Sequence, residues 1–378
     1  MSKYVMWTMA LNFLYVIVIL FGLLHISEVS NPEGNEFLWG TIIVVLSLLT
    51  LFLGRKIQVL FHELGHLVGG LLTGYKFVSF TVSKKTLIRE NGKLTWRNYS
   101  YGGVGGRVLL LPPELKDGKA PYKLMFSGGI LTDLIFSIVY FLLFLTLADN
   151  ILWLACICLV MAANSLHSVF LNGLPFNNGG VLTDGYVLTE LGRTKDKTVL
   201  PIFMLNLRAE ALRQTGVRTR DLPTSLFEPL TVSNLTNSIY HVALSVQKAG
   251  YLLDNKQFNE AKEILKEIFL NISTYEEIKL PVQVTLLFTE LITDKNQEVI
   301  EQLYNDELKE YLQIISTHED KKISVFQIWY SYARLVEKDD TKAQEYLALF
   351  EEACQQSVNF GSLPLARDMM ALVDELAS

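Results

Sequence analysis

Residues 57–70 read Ile57-Gln58-Val59-Leu60-Phe61-His62-Glu63-Leu64-Gly65-His66-Leu67-Val68-Gly69-Gly70, a mostly apolar stretch that carries HExxH. On a helix, positions i and i+4 share a face. His62 and His66 can therefore turn both imidazoles toward one Zn²⁺, with Glu63 beside it as a general base. Ionisable side chains are costly within an apolar helix placed in lipid, so they read as functional. The competing reading is a pair of packed histidines near an interface, with Glu63 snorkelling to water.

Outward from this motif, residues 37–54 and 57–73 are apolar runs joined by Arg55-Lys56. As one straight helix, 37–73 would extend about 55 Å at about 1.5 Å per residue. A hydrocarbon core is about 30 Å thick. The segment must tilt, bend, project from the membrane or break near Gly54. Residues 4–26, 124–147 and 151–171 are further runs of spanning length. The first is too long for the core of a secretory signal, and His25-Ile26-Ser27-Glu28 is a poor cleavage site. Segments 27–36 and 148–150 contain no Lys or Arg, whereas 74–123 contains ten basic residues. If 37–73 crosses once, the positive-inside rule puts that basic segment in the cytoplasm. Four spans follow, with both termini cytoplasmic and 57–73 near the cytoplasmic leaflet.

Between the second and third spans, residues 75–111 read as β-rich. Residues 77–82 alternate Phe or Val with Ser or Thr, and 86–90 and 93–97 flank Asn91-Gly92, a strong two-residue hairpin signal. The run Gly102-Gly103-Val104-Gly105-Gly106 fails as a phosphate loop. Val108-Leu109-Leu110-Leu111 and Pro112-Pro113 stand where a helix should start. A flexible turn or a close backbone approach fits better.

Composition agrees with this division. The chain has 378 residues, 50% hydrophobic and 19% charged, against about 25% charged for ordinary soluble chains. That excludes intrinsic disorder, and a net charge of −6 argues against a nucleic-acid partner. Three cysteines, Cys156, Cys158 and Cys354, make no disulfide framework. Residues 1–193 hold 14 basic and 11 acidic side chains, and 194–378 hold 19 and 28. A mildly basic apolar half precedes an acidic, helical one.

A catalytic zinc needs a third protein ligand and an open position for water. After the last span the chain reads Asn172-Gly173-Leu174-Pro175-Phe176-Asn177-Asn178-Gly179-Gly180-Val181-Leu182-Thr183-Asp184-Gly185-Tyr186. Gly, Asn and Pro break the helix here, and irregular backbone at membrane depth lines polar cavities. Asp184, followed by a permissive Gly185, is a carboxylate able to swing onto the metal.

HELGH on an apolar helix, with a late Asn-x-x-Pro and an Asp-Gly after another span, resembles the site-2 protease class of intramembrane zinc metalloproteases, peptidase family M50. The resemblance covers about residues 37–190. It implies one Zn²⁺ held by His62, His66 and Asp184, with Glu63 as the catalytic base. It also implies that Asn172 positions or polarises the substrate. Two departures stand out. Residues 176–183 make a longer gap between Pro175 and Asp184 than the family usually has. Where its middle core helix often carries Gly-Pro-x-x-Asn, this chain has Ser127-Gly128-Gly129-Ile130-Leu131-Thr132-Asp133. No PDZ or CBS domain is recognisable, and the chain looks like a divergent bacterial branch. Asp133 either orients a ligand from behind or sits close enough to an interface to be harmless. His167 reads as a packing or hydrogen-bonding residue, because a fourth protein ligand would close the site.

From about residue 194 the chain is polar and amphipathic. Ile239, Val242, Val246, Ala249 and Leu253 recur at helical spacing, and Phe258, Ala261, Ile264, Leu265 and Ile268 form a second face after the turn Asp254-Asn255-Lys256. This pair looks like one tetratricopeptide-type (TPR-like) hairpin. Weaker hairpins are expected at about 279–304 and 323–356, with a last helix near 364–377. Such stacks often present a concave binding surface, and a plain stabilising bundle is the competing reading.

The expected fold is thus mainly α. A multi-pass helical membrane domain spans 1–193 with a small β-rich insertion, a connecting helix and linker with Pro223 and Pro229 as breakers covers 194–232, and a soluble TPR-like helical domain covers 233–378. The expected function is zinc-dependent endopeptidase action within a bacterial cell membrane, on a membrane-spanning protein or signal-peptide remnant near the cytoplasmic leaflet. The bilayer and the substrate are the expected partners, with a protein partner on the helical half as a further candidate. An exposed strand within 77–111 could hold an unwound substrate by β-addition. The alternative is a non-proteolytic membrane adaptor that retains the metal site and acts through its helical half. An intact Glu63 argues against it, since a purely structural site has no use for a base. A transporter with a metal site is weakened by the lack of evident internal repeats.

Overall fold

The computed structural model describes residues 36–378 apart from 91, 117, 179, 180, 192 and 273–277, together with positions 12, 15 and 19. The expected span 4–26 lies outside the described residues except for those three positions, which are helical. The chain divides into two compact units. One comprises Met1–Tyr75, Gly105–Val108 and Pro121–Thr194, the other Lys76–Val104, Leu109–Ala120 and Lys195–Ser378. By this division most of the β-rich segment, expected as an insertion in the apolar half, groups with the acidic half.

In the first unit, helix α1 (Glu36–Leu72) runs uninterrupted for 37 residues. The choice between one helix and two is settled in favour of one. Helix α2 is Lys123–Leu147 and α3 is Leu152–Gly173. Gly54 does not break α1 but lets it approach α3: a Cβ there would lie 2.6 Å from Sδ of Met161. Gly65 of α1 and Gly128 of α2 face each other so closely that a Cβ on either would strike the other's backbone carbonyl. Such small-residue contacts let apolar helices pack backbone to backbone.

The distribution of side chains is inverted relative to a water-soluble bundle. The buried residues of α2 are Met125, Gly128, Gly129, Asp133 and Ser137. Its Ile135, Ile138, Leu142 and Leu145 are exposed, as are Leu48, Phe52, Val68 and Leu72 of α1. Among the described residues, three helices, Gly40–Leu72, Lys123–Leu147 and Leu152–Gly173, are long and apolar enough to cross a membrane.

The second unit contains strands β1 (Lys76–Val82), β2 (Lys85–Glu90) and β3 (Lys93–Asn98), and the last residues of β4 (Gly106–Leu111). The sheet order is β3-β2-β1-β4. Glu90 pairs with Lys93 across the expected two-residue turn, where Gly92 takes φ +79. The glycine run ahead of β4 turns at Gly103 (φ +81) and leads into a strand, not a helix. Helix α5 (Val199–Gln214) buries Ile202, Met204, Leu205, Ala209 and Ala211. Ala211 packs with Val78 and Leu109 in one cluster, and Ser79 Oγ donates to Gln214 Oε1 at 2.8 Å. Residues 194–232, read from sequence as a connecting helix and linker, thus include a helix that belongs to the core of this unit.

The remaining helices are α6 (Ile239–Asp254), α7 (Phe258–Asn271), α8 (Lys279–Ile292), α9 (Gln297–Leu303), α10 (Asp306–Ile315), α11 (Lys322–Tyr332), α12 (Asp340–Gln356) and α13 (Leu363–Ala377). Ser238, Asn296, Asn305 and Asp339 cap their helices by accepting backbone N–H groups, which satisfies donors that the first helical turn leaves open. Two buried carboxylates are paired. Asp254 binds Arg218 at 2.6 Å, and Glu290 binds Lys262 at 2.6 Å.

Candidate metal centre

His62 and His66 occupy one face of α1, one turn apart, and both are buried. Their Nε2 atoms stand 3.0 Å from each other. Asp184 Oδ2 lies 3.2 Å from each of them. The three donor atoms therefore form a nearly equilateral triangle, and His62, His66 and Asp184 are a group that could hold a metal ion.

Each imidazole is held from behind. Nδ1 of His62 meets Asp133 Oδ2 at 2.7 Å, and Nδ1 of His66 meets the carbonyl oxygen of Met125 at 2.8 Å. Both acceptors fix the tautomer with hydrogen on Nδ1, so each Nε2 keeps its lone pair for a metal. Asp133 is completely buried. Its Oδ1 accepts from Gln58 Nε2 at 2.5 Å, and its Oδ2 accepts from Ser168 Oγ at 2.6 Å. Gln58 in turn accepts from Ser165 Oγ at 2.5 Å. Of the two readings left open for Asp133, the structure takes the orienting one.

The space beside the ligands is made by an absent side chain. A Cβ on Gly129 would lie 2.5 Å from Nε2 of His66 and 2.7 Å from Nε2 of His62. The Gly128-Gly129 pair thus serves both the helix crossing and the clearance over the imidazoles.

Asp184 is delivered by a small closed loop after α3. Strands β5 (Asn177–Asn178) and β6 (Val181–Leu182) pair antiparallel, Asn177 opposite Leu182. Thr183 fastens the base of this hairpin: its hydroxyl donates to the Leu174 carbonyl at 2.6 Å and accepts from the Phe176 N–H at 3.0 Å. It also caps the short helix α4 (Asp184–Tyr186). Gly185 lies so near the Gly173 carbonyl that a Cβ could not fit. The long gap from Pro175 to Asp184 is thus taken up by a hairpin whose ends return to one place. Burial opposes ionisation of Asp184, but His66 and His62, when protonated, outweigh it and hold its carboxyl at about 2. It is a carboxylate at neutral pH, as a metal ligand must be.

Glu63 is buried beside His62 in the chain, and its Oε2 accepts the backbone N–H of Val108 at 2.9 Å. Its Oε1 faces Gly106, where a Cβ would come within 3.0 Å. Asn172, expected to position substrate, donates from Nδ2 to the Ser168 hydroxyl at 3.1 Å and to the Ser168 carbonyl at 3.2 Å. It sits at the far end of the chain Asn172–Ser168–Asp133–His62. His167 stacks against Tyr15 at 4.8 Å and is not among the three donors. Gln58, Ser165 and Ser168 were not singled out in the sequence. The signal was there for Gln58, a polar residue one turn before His62 on an apolar helix.

Compared with protein-family models, curated proteins and solved structures, the chain matches none.

Proposed function

We propose that this protein is a zinc-dependent endopeptidase working within a membrane, of the site-2 type that HELGH and the later Asp-Gly resemble. The observation that carries the reading is the triangle of His62, His66 and Asp184, with edges of 3.0, 3.2 and 3.2 Å. Ligands about 2.0–2.1 Å from a tetrahedral zinc stand about 3.3–3.4 Å apart. Two imidazoles and one carboxylate from the protein also match the donor set of a catalytic zinc, which keeps its fourth position open. The exposed apolar faces of α1 and α2 suit lipid, and the buried polar residues suit a site shielded from it. In this reading α1 crosses the bilayer once, the basic segment 74–123 faces the cytoplasm, and the helical half is a TPR-like cytoplasmic domain.

Bound zinc supplies a Lewis acid for the scissile carbonyl and lowers the pKa of a coordinated water. The chain's own residues do the rest. Asp133 and the Met125 carbonyl keep both imidazoles aimed inward. The Val108 N–H holds Oε2 of Glu63, leaving Oε1 to take a proton from the attacking water and return it to the leaving amine nitrogen. The apolar helices around the site exclude bulk water, which strengthens each of these interactions. The substrate class is a membrane-spanning protein or signal-peptide remnant, which must unwind before attack because helical amides are already hydrogen-bonded.

The test is Glu63→Gln in the purified chain, assayed on a panel of transmembrane segments in lipid vesicles. Cleavage by the wild type, its loss in the variant, and equal zinc content in both support the reading. Zinc without cleavage of any segment by the wild type favours the adaptor, and equal cleavage by the variant removes Glu63 from the chemistry.

A further inference from the structure

The second unit contains a cavity of about 350 Å³ that takes no part in the metal centre. Leu253, Val284, Phe288 and Met369 give it an apolar wall. Arg213, in the last turn of α5, also lines it. The Nε of Arg213 is buried without a hydrogen-bond partner, and Glu210 acts on the guanidinium only through its charge. The carboxylates at the cavity are already engaged. Glu319 pairs with Lys322 at 2.9 Å, and Asp320 pairs with Lys321 at 3.2 Å and accepts the Gly102 N–H at 3.1 Å. Arg213 therefore brings to the cavity a cation whose Nε donor has no acceptor.

Two acceptors of residues lining the same cavity also lack donors. Gln247 Oε1 and Asn359 Oδ1 are buried and unpartnered, while Gln247 Nε2 is spent on Asn206 at 2.7 Å. A buried polar atom without a partner is costly, and an unpaired buried charge more so. One kind of ligand answers all three features: an anionic group for Arg213, an N–H donor for the amide oxygens, and an apolar body for the wall. The volume is at the small end for ligand pockets, which run from about 300 to 1,000 Å³. It suits one or two residues and not a folded segment.

We propose that this cavity binds an apolar amino-acid residue with a free α-carboxylate, the carboxylate pairing with Arg213. Arginine is suited to this because its planar fork meets a carboxylate with two parallel hydrogen bonds. The residue can be the last one of a peptide or a free amino acid, and both present the same chemistry. The inference does not depend on the chain being a protease.

The test is calorimetric titration of the full chain in detergent with N-acetyl-leucine, N-acetyl-phenylalanine, their amides and free leucine. The acids should bind, and the amides should bind at least about tenfold more weakly, the worth of one charge-assisted contact. Tighter binding of the acetylated acid than of free leucine assigns a peptide terminus, and the reverse assigns a free amino acid. Arg213→Met should lose the acid's binding by a similar factor with an unfolding midpoint equal to or above wild type, since it removes a buried donor that has no acceptor. Phe288→Trp, which leaves Arg213 in place and fills the cavity, should weaken binding as well. Equal binding of acid and amide, no binding of any acid, or full binding by either variant overturns the proposal.

Discussion

Asp133 Oδ2, on α2, stands 2.7 Å from Nδ1 of His62, on α1. This pair joins the two helices at the metal centre and decides which nitrogen of His62 faces it. A carboxylate behind a ligating histidine raises the basicity of the ligand and fixes its ring, and losing it costs about 10–100-fold in metal affinity. Asp133→Asn keeps the volume and removes the charge. It should lower zinc affinity by about that factor while helix content stays constant, as read by chelator competition and circular dichroism. Undiminished affinity would show that the pair is only structural.

Gly129 should tolerate no side chain. An added methyl would lie 2.5 Å from Nε2 of His66, and overpacking of this kind costs about 1–3 kcal/mol. Borne by the ligand pair, that is about a five- to 150-fold loss of zinc binding. Gly129→Ala should therefore lose metal, whereas Gly40→Ala, on the same group of helices with open space around it, should not. Metal content after dialysis against a weak chelator separates the two variants.

In the helical unit, the Lys262–Glu290 pair is the most buried ion pair described, with side chains 6% and 1% exposed. Removing the lysine leaves Glu290 uncompensated, so Lys262→Met should destabilise by about 3–5 kcal/mol. Burial works to lower the Lys262 pKa, but Asp294 and Glu290 outweigh it and raise it above the usual lysine range. The sign follows. The pair's contribution is fully present below the unfolded lysine value of about 10.4 and is lost as pH climbs through the raised folded value. Thermal unfolding of wild type and variant should converge above that pH. A gap that persists or widens there would assign the stability to packing instead.

Much of this was legible from residues alone where the physics is local. The spacing of His62 and His66 sets their common face without help from the rest of the chain, and Asn91-Gly92 announces its hairpin in the same way. Asp184 could be found because Gly, Asn and Pro end a helix just before it. The role of Asp133 could not, because which way a residue faces on an apolar helix depends on how its neighbours pack. The same limit hid Ser165 and Ser168. The place of α5 in the core was obscured for another reason: its buried residues Ile202, Phe203, Met204 and Leu205 are consecutive, so no single apolar stripe marks its inner face. The distance from Pro175 to Asp184 looked too long because sequence separation does not reveal a hairpin that closes on Thr183.

Zinc K-edge X-ray absorption on the metal-loaded protein tests the central claim most directly. The account predicts one zinc per chain with two imidazole nitrogens and one carboxylate oxygen at about 2.0–2.2 Å, a fourth light atom from solvent, and loss of the carboxylate contribution in Asp184→Ala. A centre with sulfur ligands, a fourth histidine-like scatterer, or a spectrum unchanged in Asp184→Ala would contradict it.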